Sequence, residues 1–156
     1  MSLVYVHQFS ISLDGFGTGE GQSRDAYFGH AGERLHEWMF TTRWWNEKVG
    51  QSGGTGGVDD AFLQRHDRGI GAEIMGAGKW GFPGWQDVRI GGGATVIREF
   101  LAAGLVDHMH VVLVPILLGR GVRLWDGLEG LEERYQIEAT SSPSGVTHLT
   151  FTRAGV

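Results

Sequence analysis

The 156-residue sequence predicts a single α/β domain built on a mixed, mostly parallel central sheet flanked by helices and closed by an antiparallel hairpin. Three observations carry this. Residues 3–12 read as a strand with apolar groups on both faces. Residues 88–103 pass from a short strand through three glycines into an amphipathic helix. Residues 135–140 and 147–151 alternate strictly on either side of "SSPSG".

In order, Val4, Val6 and Gln8 are expected on one face of the first strand, and Leu3, Tyr5, His7 and Phe9 on the other. The stretch "SLDGFGTGEG" is expected to leave it as a mobile loop. Residues 33–45 place Leu35, Trp38, Met39 and Phe40 at roughly helical spacing. A helix is expected over 59–68, with Asp59 and Asp60 near its positive end and Gly69 as its stop. Short strands are expected over 72–75 and 88–90. The clearest helix spans 95–103: Ile97, Phe100 and Leu101 share a stripe, Arg98 and Glu99 face away, and Gly104 follows as the terminating glycine. "HMHVVLVPILL" (108–118) reads as a strand covered on both sides, with Pro115 implying a bulge or an open edge. "GRGVRLWDGL" reads as loop.

Composition narrows the function. A net charge of −5 argues against a general nucleic-acid binder. No apolar run approaches the roughly 20 residues a bilayer crossing needs. The opening "MSLVYVHQFSISLDG" lacks the basic and apolar regions of a signal peptide. Cysteine is absent, which removes thiolate chemistry and fits a reducing compartment. A cytoplasmic location is the expectation.

The 27 glycines cluster between patterned segments instead of forming a linker. The most informative cluster is "RIGGGATVIREF". The first amides of a helix have no intrahelical partner, the helix dipole adds positive potential, and glycines let an anion approach the backbone. Gly91, Gly92, Gly93, Ala94, Thr95 and Val96 are therefore a candidate phosphate cradle, with a plain strand–helix turn as the alternative. The spacing matches neither G-x-G-x-x-G nor a P-loop.

Other constellations are weaker. Asp14 sits at the mouth of a predicted sheet, where a carboxylate could act on a substrate; the alternative is an ordinary Asp-Gly turn. His108 and His110 share a strand face, with His7 in reach, yet a metal needs three or four converging ligands, so no metal is assigned. Trp38, Phe40, Trp44 and Trp45 could wall a flat heterocycle, or form core or an interface. Asp59, Asp60 and Glu73 make no recognisable acid–base pair, and no serine has a nucleophile-elbow context.

"SISLDGF", "EIMG" and "VRIGGGATVIREFLAAGLVDHMHVVLVPILLGRGVRLWDGL" together resemble the dihydrofolate-reductase-like family, in the branch of riboflavin-biosynthesis reductase domains. The resemblance covers the first strand and nearly everything from Ala72 onward. It implies an NADPH-dependent reductase, with NADH as the alternative, acting on a small, flat, pterin-, folate- or pyrimidine-like substrate. In this reading Asp14 orients substrate or routes a proton. Gly76, Lys79 and the 91–96 turn hold the cofactor, and Gly91–Gly92 is a cis peptide. A non-catalytic nucleotide- or pterin-binding protein that kept the fold is the second reading. Two departures stand out. Gly76-Ala77-Gly78-Lys79 replaces the family's Gly-Arg-x-Thr, so Lys79 brings charge without the bidentate fork. Only "AGKWGFPGWQD" separates "IMG" from "VRIGGG", so a strand–helix segment that the resemblance leads one to expect between about 80 and 88 is absent from this sequence. The strand 108–118 and the tryptophans suggest more apolar surface than the helices cover, and so a homodimer.

Overall fold

A computed structural model describes residues 3–65, 68 and 93–156. Six strands and four α-helices are described: β1 (Tyr5–Ser12), β2 (Phe16–Thr18), α1 (Glu37–Phe40), α2 (Arg43–Lys48), α3 (Val58–Gln64), α4 (Ala94–Ala102), β3 (His108–Val114), β4 (Val122–Arg123), β5 (Tyr135–Ser141) and β6 (Thr147–Arg153). The main sheet has the order β1-β3-β6-β5. β1 runs parallel to β3, while β6 is antiparallel to both β3 and β5. The mixed α/β class and the closing hairpin are as expected. The further strands expected over 72–75 and 88–90, the stop at Gly69, the Gly91–Gly92 peptide and the interval between Trp80 and Val88 lie outside the described residues.

The sheet is covered on both faces, as the apolar run in β3 requires. On one face Val6, Met109, Val111 and Phe151 pack against Ile97 and Leu101 of α4. On the other, Val112 and Val114 pack against Leu35, Trp38 and Leu63 beneath α1 and α3. Trp38 is core and Trp44 packs against the same cluster. β3 is mostly buried and Trp38 is buried, while Leu13, Leu105 and Leu117 are exposed.

Five local expectations are corrected. β1 does not alternate cleanly: the register shifts between Val6 and Phe9, and Gln8 has φ 53, a bulge that puts Phe9 on the same side as Val4 and Val6. β3 stops at Val114, because Pro115 has no N–H to give the ladder. Residues 119–128 are not all loop; β4 pairs with β2 as Phe16↔Arg123 and Thr18↔Val122. The segment after β1 is correspondingly not loose, since all three residues of β2 are buried. α3 and α4 each begin one residue earlier than expected. Gly104 closes α4 as predicted, with φ 68 and its N–H on Leu101 O at 3.0 Å.

Candidate functional site

The turn after β1 is built around Ser12 and Asp14. Gly15 N–H donates to Ser12 O at 2.9 Å and Gly15 has φ 86, so the Asp-Gly pair does form a tight turn. The Asp14 carboxylate reaches further. Its Oδ1 accepts from Ser12 Oγ at 2.5 Å and Leu118 N–H at 3.1 Å, and its Oδ2 accepts from Gly119 N–H at 2.7 Å. Ser12 Oγ also accepts from Phe16 N–H at 3.0 Å, at the start of β2. One carboxylate thus ties the end of β1 to the connection that follows β3.

Partial desolvation pushes this carboxyl up. The Ser12 hydroxyl and the Gly119 and Leu118 amides outweigh it and bring the pKa from 3.8 down to about 2. At neutral pH Asp14 is an ionised acceptor with no proton to give. Its unfolded pKa lies above its folded one, so the unfolded chain takes the proton first. The stability Asp14 contributes is present above pH 3.8 and is lost as pH falls from there through about 2. Urea unfolding should therefore show a stability gap between the protein and Asp14→Asn that narrows across that interval. A gap independent of pH would contradict the bonding described.

The second part of the site is the start of α4. Gly93 is its extended N-cap, with φ −69 and ψ 174, and no side chain caps the helix. The amides of Ala94, Thr95 and Val96 therefore open the helix without intrahelical acceptors. Thr95 is exposed, and a Cβ on Gly93 would meet nothing within 4 Å among the described residues. Ala94 is buried against β2: a Cβ on Gly17 would lie 3.4 Å from the Ala94 Cβ and 2.5 Å from Phe9 Cζ. Glycine at 17 is what lets the segment after β1 lie against the helix opening.

Two arginines link the parts. Arg123 Nε donates to the Asp14 carbonyl at 3.2 Å, and its guanidinium sits over the Phe16 ring at 4.7 Å. Arg98 of α4 donates to the Arg123 carbonyl at 3.2 Å, with Asp126 3.8 Å away. Neither arginine stood out in the sequence, because nothing local ties β4 to Asp14 or to α4. Of the predicted site residues, Asp14, Gly93, Ala94, Thr95 and Val96 are described, while Gly76, Lys79, Gly91 and Gly92 lie outside the described residues. Among the described residues no cluster of three or more His, Asp or Glu could hold a metal. None of their helices is long and apolar enough to cross a membrane.

Residues 83–149 match the RibD C-terminal domain family. No curated protein matches the chain. Among solved structures, the chain is similar to a Shewanella sp. PV-4 protein ascribed to riboflavin biosynthesis, at 16% identity over 97% of both chains with a TM-score of 0.49. A pyrimidine reductase-like protein from Corynebacterium diphtheriae matches at 22% identity over 70% of this chain and 42% of its own, with a TM-score of 0.36. RibD from Acinetobacter baumannii matches at 18% over 69% of this chain and 28% of its own, with a TM-score of 0.34.

Proposed function

We propose, from the premise that residues 83–149 belong to the reductase-type RibD C-terminal domain family, that this protein binds NADPH and reduces a small flat heterocycle of pterin, folate or pyrimidine type. NADH is the alternative cofactor. The observation that carries the reading is the uncapped start of α4, open at Gly93 and pressed against β2 at Gly17. Gly93, Ala94, Thr95 and Val96 would hold the cofactor phosphates through their amides. Gly91, Gly92, Gly76 and Lys79 complete the proposed set. The nicotinamide supplies the hydride when bound; the protein's part is to orient and exclude water. Asp14 would orient substrate through the lone pairs its three donors leave, and any proton would come from elsewhere, since its carboxyl is already ionised. A cytoplasmic location belongs to the same proposal.

Binding without turnover is the second reading. Two observations favour it: the carboxylate nearest the proposed chemistry is committed to structural hydrogen bonds, and the connection from Gly76 to Asp87 is shorter than a strand plus a crossover helix needs. Mixing the protein with NADPH and a panel of flat C=N and C=O heterocycles separates the two. Loss of nicotinamide absorbance with any of them supports the reductase. Saturable binding with no oxidation across the panel supports the binding protein.

A homodimer remains part of the proposal on different grounds. β5 pairs only with β6 among the described strands, and Ile137 on it is exposed. Light scattering should give twice the chain mass; the monomer mass at micromolar concentration would rule the dimer out.

A further inference from the structure

The sheet face opposite α4 carries a buried polar chain that the proposed reductase site does not use. His148 of β6 is fully buried, and its Nε2 lies 2.7 Å from Asp59 Oδ1 on α3. Its Nδ1 lies 2.9 Å from Nε2 of His110 on β3, a residue only 7% exposed. The ring planes of His110 and His148 are 21° apart, with centroids 5.1 Å from each other. Phe62 of α3 covers both, at 4.6 Å and 4.2 Å between centroids and nearly parallel to each. Trp38 closes the side, edge-on to His148 at 5.4 Å.

Hydrogen-bond logic fixes the protons. Asp59 only accepts, so His148 carries its proton on Nε2 and presents a lone pair at Nδ1. His110 must then donate from its own Nε2. One shared N–H joins the imidazoles, and one joins the pair to the helix. A proton added at His148 Nδ1 takes the lone pair that accepts from His110 Nε2–H and sets two N–H groups against each other.

We propose that Asp59, His148 and His110 form an acid-sensitive latch, which fastens α3 to the sheet at neutral pH and releases it when His148 takes up a proton. α3 is short, at seven residues, and its Gly57 N-cap gives no side-chain bond, so its docking depends on what it packs against. Asp59 and Phe62, two of its seven side chains, are committed to the histidines.

On α3, Asp60 is turned to Trp44 N–H at 2.7 Å and to Gln64 Nε2 at 2.8 Å. Arg65, just after α3, sits over the Phe62 ring at 5.0 Å and opposes a second cation there. On β5, Glu138 lines the cleft of about 350 Å³ between that strand and α3. On β3, His108 stacks with Tyr5 of β1 instead of joining the chain. β1 contributes Ser10, which is neutral and accepts from Trp38 Nε1 at 3.1 Å. On α1, Glu37 precedes Trp38. Burial is the largest influence on His148 and lowers its pKa, ahead of the opposing hydrogen bond and charge of Asp59. The released state therefore binds the proton more readily. The latch is closed above the ordinary imidazole value of 6.5 and loosens as pH falls below it.

Hydrogen–deuterium exchange tests this on the full chain. After correction for intrinsic rates, exchange at residues 61–64 should accelerate up to about tenfold per pH unit for one excluded proton as pH falls below 6.5, while α4 stays protected. His148→Gln keeps a donor toward Asp59 and cannot titrate in this range, so its α3 exchange should lose the acid dependence. Exchange in α3 that tracks α4 at every pH would overturn the latch, as would an acid response unchanged in His148→Gln. Should that variant fail to fold, imidazole nitrogen shifts of the parent protein decide. Both protons must sit on Nε2 at neutral pH, and either one on Nδ1 overturns the proposal.

Discussion

Gly121→Ala should destabilise the protein by about 3 kcal/mol, combining a strained backbone with an overpacked contact at roughly 1–3 kcal/mol each. Gly121 has φ 137, a region closed to side chains with a Cβ. The added methyl would overlap the Thr18 carbonyl oxygen and lie 2.9 Å from Gly19 Cα. Both obstacles are backbone, so no rotamer change relieves them. Relief requires β4 to leave β2 and break the pairs Phe16↔Arg123 and Thr18↔Val122. That movement would also pull Gly17 from Ala94 and loosen the start of α4. Urea unfolding measures the loss directly. A change under about 1 kcal/mol would mean that the two strands approach less closely than described.

Thr95→Asp should weaken NADPH binding by tenfold or more while leaving the fold as stable as before, or slightly more so. The residue is exposed in the first turn of α4, where a carboxylate interacts favourably with the helix dipole by roughly 0.3–1 kcal/mol. The same charge would face the phosphates that the amides of residues 93–96 are proposed to hold. An effective dielectric of about 20 gives like charges 4 Å apart roughly 4 kcal/mol of repulsion, and solvent screening brings this down to tens-fold in affinity at most. Opposite signs on stability and binding separate a binding role from a packing role. Thermal unfolding and a fluorescence titration supply the two readings. Unchanged affinity would remove the start of α4 from the cofactor site.

The parts legible in the sequence are those with a local period. β5 and β6 alternate without interruption, and α4 shows a clean apolar stripe ending at a glycine, so their bounds fall within a residue or two of expectation. β1 was legible as a strand but not in its facing. A positive φ at Gln8 depends on tertiary packing and leaves no compositional trace. β4 is two residues long and exists only because β2, over a hundred residues earlier in the chain, lies beside it. The glycines of "GFGTGEG" signalled special backbone, and at Gly17 and Gly19 the reason is close approach, by Phe9 and Ala94 to the first and by His30 and Ala31 to the second. Asp14 was found by position, yet the donors that fix its charge come from residues 118 and 119. The Asp59–His148 contact spans 89 residues and could not be paired by spacing. Its one local sign is His148 on the polar side of an alternating strand, a place expected to be wet that the structure buries completely.

The most direct test of the central claim, that the opening of α4 beside β2 receives a dinucleotide phosphate, is a titration of isotope-labelled protein with NADPH, followed by amide shifts. The account predicts saturable shifts concentrated at Gly93, Ala94, Thr95, Val96 and Gly17, with the amides of α3 unmoved. Shifts absent at millimolar NADPH, or saturable shifts confined to α3 and β5, would contradict it.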